Sequence, residues 1–203
     1  LLNGTVQCWG YNSFGQLGNN STTNSSVPVP VSGINTATAV TAGYTHTCAL
    51  LSGGTVQCWG YNTYGQLGNN STTNSSVPVP VSGINTATAV TGGLYHTCAL
   101  LLNGTVQCWG YNSFGQLGNN STDTSFVPVS VNGITTATAV TGGGLHTCAL
   151  LSDGTVQCWG YNSSGQLGNA TTTDSFVPVS VSGITTATAV TGGFFHTCAL
   201  LSD

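Results

Sequence analysis

Short runs of alternating apolar and polar residues fill this chain, broken every few positions by glycine or by Asn/Ser/Thr clusters. No stretch carries the three-to-four-residue spacing of an amphipathic helix. Val27-Pro28-Val29-Pro30-Val31 alternates, but its prolines cannot donate to a ladder, which places it at the outer edge of a sheet. Ser32-Gly33 then turns the chain. Ile34, Thr36, Thr38 and Val40 alternate with the small Ala37 and Ala39, as a crowded inner strand requires, and Gly43 ends that strand. Residues 46–51 and 55–59 flank Ser52-Gly53-Gly54, a three-residue hairpin loop with glycine at its last position. A loop centred on residue 53 pairs Leu51 with Thr55, Leu50 with Val56, Ala49 with Gln57 and Cys48 with Cys58. Residues 60–68 read as a structured loop bracketed by Gly65 and Gly68, and the polar run 69–76 as an exposed crossing to the outer strand.

The pattern then starts again. Gly4-Thr5-Val6-Gln7-Cys8-Trp9-Gly10-Tyr11-Asn12 recurs unchanged from positions 54, 104 and 154, and residues 1–50 differ from 51–100 at only seven positions. A fixed period of this length marks a repeat architecture in which each unit needs its neighbours to bury its apolar face. The organisation expected is one array over 1–203, with units 1–50, 51–100, 101–150 and 151–200 and residues 201–203 opening a fifth. Four short strands per unit predict an all-β fold of four-stranded blades of the β-propeller type, closed as a ring or left as an open superhelical array. The absence of Met is the mark of a piece processed or excised from something longer.

Several motifs sharpen this reading: Gly43, the run His46-Thr47-Cys48-Ala49-Leu50, the Gly54 turn, Val56-Gln57-Cys58-Trp59-Gly60, Asn62, Gly65-Gln66-Leu67-Gly68 and the Pro/Val outer strand. Together they resemble the regulator of chromosome condensation repeat family, most of all its secreted bacterial members with a cysteine in each hairpin strand. The resemblance runs through all four copies. It implies a propeller, usually of seven blades. Family members act on chromatin or as nucleotide-exchange factors for a small GTPase, activities that need charged contacts this chain does not supply.

Eight cysteines occupy two fixed positions per copy. The hairpin register sets Cys48 opposite Cys58, Cys98 opposite Cys108 and Cys148 opposite Cys158, close enough for disulfides after a small twist. Paired cysteines point to an oxidising, extracellular or cell-surface location. Two alternatives stand beside that reading: free thiols, or a metal held by His46, Cys48 and Cys58, although a structural zinc wants a fourth ligand that does not recur. Cys8 and Cys198 are left without a hairpin partner, which fits head-to-tail joining or continuation into further repeats. His46 and its copies read as structural, bonding backbone at the inner end of a blade, and Trp59 and its copies as packing between blades.

Composition narrows the function. Charged residues make up 2% of the chain, with no Lys or Arg and four aspartates, Asp123, Asp153, Asp174 and Asp203; ordinary domains carry about 25%. Without cations there is no counterion release, so nucleic acid is excluded as a partner. Copies one and two hold no carboxylate side chain, so acid–base and triad chemistry lack their groups and no enzyme is expected. Nothing calls for a cofactor, and no apolar run is long enough for a membrane span. What remains is a non-enzymatic scaffold, fibre-forming through self-association, or a secreted module that binds a protein or a glycan.

Two sets of positions stand out as surfaces. The pair preceding each histidine diverges towards large apolar residues, with Tyr44, Leu94, Tyr95, Leu145, Phe194 and Phe195 forming either an interaction face or packing between blades. Asn-X-Ser/Thr sequons occur at Asn3, Asn19, Asn20, Asn24, Asn69, Asn70, Asn74, Asn103, Asn119, Asn120, Asn162 and Asn169. They are glycan acceptors in a secreted protein, or chance products of a composition rich in these residues.

Overall fold

The computed structural model describes residues 4–202, so Asn3 and Asp203 lie outside the described residues. Every regular element among those residues is a β-strand. Strand β1 (Gln7–Gly10) pairs with β2 (Ser25–Pro30) in a two-stranded sheet. A four-stranded antiparallel sheet follows, built from β3 (Ala37–Ala42), β4 (His46–Leu51), β5 (Val56–Gly60) and β6 (Ser75–Pro80) in sequential order. The same unit recurs as β7 (Ala87–Gly92), β8 (His96–Leu101), β9 (Val106–Gly110) and β10 (Ser125–Ser130). It recurs again as β11 (Ala137–Gly142), β12 (His146–Leu151), β13 (Val156–Gly160) and β14 (Ser175–Ser180). A second two-stranded sheet, β15 (Ala187–Gly192) with β16 (Thr197–Leu201), completes the described fold.

Each hydrogen-bonded blade therefore takes its inner two strands from the end of one 50-residue copy and its outer two from the start of the next. The hairpin register is the one read from sequence, with Cys48 opposite Cys58 and Leu50 opposite Val56. Gly54, at φ +77°, sits in the left-handed region that a three-residue hairpin loop needs at its last position. The inner strand begins later than the alternation predicts, at Ala37 rather than Ile34. Ile34 leaves the ladder because Gly33 turns the chain at φ +72°, and its side chain is buried under that turn.

Blades pack face to face, β4 on β7, β8 on β11 and β12 on β15. The core lies between blades: Cys48, Leu50, Val56, Cys58, Leu67 and Ile84 close over Ala99 and Trp109 of the next blade. Trp109 also explains Gly68, where a Cβ would stand 2.7 Å from the indole nitrogen. Among the described residues the array does not close on itself, since β1–β2 and β15–β16 remain separate two-stranded sheets.

Candidate binding face

The junctions between blades are built from buried polar groups with assignable roles. The Thr97 hydroxyl donates its one proton to the Gln66 carbonyl oxygen at 2.8 Å, so its contact with His46 Nε2 at 2.9 Å must be a bond it accepts. His46 is thereby fixed as the neutral Nε2–H tautomer. The same relay links His96 to Thr147 and the Gln116 carbonyl, and His146 to Thr197 and the Gln166 carbonyl. The Nδ1 atoms of His46, His96 and His146 are buried and find no partner among the described residues. Burial pushes these histidines below the ordinary imidazole range, to about 4 for His46, about 3 for His96 and about 4 for His146. The expectation that His46 bonds backbone is corrected here, because its partner is a side chain on the next blade. The buried, neutral His46 thus ties its blade to the next one through Thr97.

The loop after each third strand is organised by a fully buried asparagine. Asn62 donates through Nδ2 to Asn69 Oδ1 and to the carbonyls of Ser71 and Thr73, while its Oδ1 accepts the Leu67 amide at 2.9 Å. Asn12, Asn112 and Asn162 hold their own loops in the same way. These rigid loops project aromatic rings on either side of the asparagine, and the rings of successive copies meet. Tyr11 contacts Phe14 at 6.2 Å between centroids, Phe14 contacts Tyr61 at 4.8 Å, and Tyr61 contacts Tyr64 at 6.3 Å. The run continues from Tyr64 to Tyr111 at 4.9 Å, to Phe114 at 6.2 Å and to Tyr161 at 4.9 Å. Tyr95 bridges Tyr61, Tyr64, Tyr111 and Tyr44 from the inner side, and Tyr161 leads on to Phe195 and Phe194. All seven tyrosines of the chain belong to this one connected arc. Burial and the neighbouring phenols of Tyr61, Tyr64 and Tyr44 push the Tyr95 hydroxyl above its usual range.

Sequence reasoning reached only part of this face. Tyr44, Phe194 and Phe195 are exposed, Leu94, Tyr95 and Leu145 half-buried, and the two tyrosines and two phenylalanines among them join the arc. Its outer row, at 11, 14, 61, 64, 111, 114 and 161, was missed. The signal was present as an aromatic pair flanking Asn-Ser or Asn-Thr in three copies, with Ser164 standing in for the second ring in the fourth. Three cysteine pairs, Cys48–Cys58, Cys98–Cys108 and Cys148–Cys158, are disulfide-bonded, which removes their sulfurs from any thiolate set with His46. Cys8 is half-buried and Cys198 exposed, both as free thiols. Among the sequons, Asn20, Asn24, Asn70, Asn74, Asn103 and Asn120 are exposed, and Asn19, Asn69, Asn119 and Asn169 half-buried. Asn162 does not belong with them: it is fully buried, and its amide nitrogen is committed to the loop carbonyls of Thr171 and Thr173. A glycan there would break the loop.

The model of the regulator of chromosome condensation (RCC1) repeat matches residues 3–50, 53–100, 103–150 and 153–200, nearly the whole chain. The chain belongs to the RCC1 repeat family. Among solved structures it is similar to human WBSCR16, at 26% identity and a TM-score of 0.88 over 99% of this chain and 54% of that one. Prp20p of Saccharomyces cerevisiae, characterised for its binding to Gsp1p and histones, superposes with a TM-score of 0.83 at 21% identity, over 98% of this chain and 52% of Prp20p. The ectodomain of the receptor kinase CR4 from Physcomitrella patens gives 28% identity and a TM-score of 0.56, over 87% of this chain and 41% of the ectodomain. This chain thus spans about half the length of the RCC1-type structures it matches. No curated protein matches it. RCC1 repeats are interaction scaffolds by architecture, and no helix among the described residues is long and apolar enough to cross a membrane.

Proposed function

We propose that this RCC1-repeat chain is a non-enzymatic scaffold that works outside the cell and holds its partner on the aromatic arc. The arc itself carries this reading. Rigid, half-exposed aromatic rings lose little entropy on contact and dominate the energetics of binding surfaces. Segregation of every tyrosine to one face, while Trp59, Trp109 and Trp159 are buried between blades, is the division expected of a surface kept for recognition. Three disulfides in blade hairpins and the likeness to a receptor ectodomain support an extracellular setting. The exposed sequon asparagines are proposed glycan acceptors in a eukaryotic secretory host, and a mass shift on amidase treatment checks them.

The test compares two ends of the same blades. Replacing Tyr61, Tyr64 and Tyr111 by serine is expected to lower affinity for extracellular partner material by about 100-fold. Equivalent changes at the hairpin turns, Ser52→Ala with Asp153→Ala, leave it intact. Equal losses from both sets would reject the assignment.

A second reading, self-association into a fibre, rests on the open strands. Strands β16 and β1 carry the residues that pair in complete blades, with Cys198 and Cys8 at the bonded position. Copies joined head to tail would complete a blade and form a Cys198–Cys8 disulfide by exchange with an oxidised small-molecule disulfide, which is reduced in turn. A near-chargeless β-surface offers little resistance to such pairing. Non-reducing gels should then show a ladder that collapses on reduction. A lone monomer, or a Cys8–Cys198 bond within one chain, counts against it.

A further inference from the structure

The arc has a chemistry and a period, and both restrict what it can hold. Each of the first three copies offers an aromatic ring, an exposed hydroxyl side chain and a second ring: Tyr11, Ser13 and Phe14; Tyr61, Thr63 and Tyr64; Tyr111, Ser113 and Phe114. Steps along the track alternate regularly, 6.2 and 4.8 Å, then 6.3 and 4.9 Å, then 6.2 and 4.9 Å. Rings of successive copies are tilted by 58 to 67° to one another, so the track presents ring faces at alternating angles rather than as a flat ribbon. Such a grating suits a ligand that repeats along its own length, because each repeat of the ligand then meets the same group and the contacts add as avidity. The surface of a folded protein without internal repeats has no such period.

Charge narrows the class further. The chain has no Lys or Arg to hold an anionic polymer. Asp153 sits in the hairpin turn, at the opposite end of the strands from the rings. Asp174 Oδ1 accepts the Asn162 backbone amide and Asp123 Oδ2 the Ser121 hydroxyl, so the loop carboxylates belong to copies three and four, and the loops of copies one and two carry none. An uncharged ligand matches an uncharged track. The ring faces, with their negative quadrupole, attract polarised C–H groups. The interleaved hydroxyls and phenols both donate and accept, as a hydroxyl-rich ligand requires.

We propose that the arc is a binding track for an uncharged linear polysaccharide, whose sugar rings stack on the tilted aromatic faces and whose hydroxyls bond Ser13, Thr63, Ser113 and the tyrosine phenols. This rests on the reading of the arc as the working surface and names what it holds.

Affinity electrophoresis through native gels tests it, with hydroxyethylcellulose, mixed-linkage β-glucan and xylan as neutral probes and polygalacturonate and chitosan as charged ones. At least one neutral polymer should retard the chain, and neither charged one. Retardation should weaken by about tenfold or more in Tyr64→Ala/Tyr111→Ala. It should weaken by less in Tyr64→Phe/Tyr111→Phe, which keeps the rings, and should be unchanged in Asp153→Ala. Oligosaccharide affinity should rise with length until the track is filled. If no neutral polymer retards the chain, or if the alanine pair binds as well as the parent with an unchanged circular dichroism spectrum, the proposal fails. A protein partner that depends on the same tyrosines, with every polysaccharide inert, would overturn this inference and leave the scaffold function standing. Arc-independent binding of every probe would remove both.

Discussion

Val-Gln-Cys-Trp-Gly occurs at 6–10, 56–60, 106–110 and 156–160 with identical residues and two different environments. In the three complete blades its tryptophan is wholly buried, Trp59, Trp109 and Trp159 each donating Nε1–H to the carbonyl of Gln16, Gln66 or Gln116 on the preceding blade. Trp9 is 63% exposed. The partner strand shows the same contrast, with Leu50, Leu100 and Leu150 about 5% exposed and Leu200 65%. Cysteines follow suit, bonded in the complete blades and free at Cys8 and Cys198. The lesson is that a blade's hairpin strand has a core only when a second blade supplies its other half, as a repeat array demands.

Acidification should break the complete blades with the largest effect. For His46, His96 and His146 the folded pKa lies below the ordinary 6.5, so the unfolded chain takes up protons first. Stability is full above about pH 6.5 and falls as pH drops towards 4, on the order of 3 kcal/mol per histidine. Urea midpoints at pH 7, 5.5 and 4.5 should decrease in that order, and His96→Asn should flatten the slope. A flat profile would show that the histidines are not buried neutral.

Tryptophan truncation asks the same question of packing. Trp109→Ala is expected to cost about 3–5 kcal/mol, whereas Trp9→Ala stays within about 0.5 kcal/mol. Similar losses at both would erase the distinction between complete and half blades. Opening one disulfide comes next. Cys98→Ser should lower stability by about 2–3 kcal/mol from the small closed loop, while Cys198→Ser changes little. Iodoacetamide on the native chain should label Cys198 before Cys8, whose thiol is pushed up and shielded by burial. The smallest effect concerns Ala170. It stands at φ 62° where Asn20, Asn70 and Asn120 occupy the same left-handed position, so Ala170→Asn should stabilise by about 1 kcal/mol, read as a rise in Tm.

Much of this fold was legible along the chain because it is local. Gly54 and its copies place the hairpin turns, and the turn fixes the register that sets Cys48 opposite Cys58. Alternation located the strands to within a few residues and failed at Ile34, where a left-handed glycine pulls an apolar residue out of the ladder and into the core. The aromatic arc was legible only where residues diverge, at Tyr44, Tyr95, Phe194 and Phe195. Its outer row stayed hidden because Phe14 and Tyr61 are 47 positions apart and only blade stacking sets their rings 4.8 Å from each other. Asn162 shows the opposite failure, since its sequon looks like those in open loops until burial is known.

The sequence by itself determined the unit: its period, turn positions, hairpin register and the nearly chargeless chemistry, because each depends on residues within a few tens of positions or on composition alone. The tertiary structure decided everything that repeats share between them. The His46–Thr97 relay, the buried tryptophans, the tyrosine arc and the fate of Asn162 all follow from how blades and loops close on one another, a geometry that an identical local sequence leaves open.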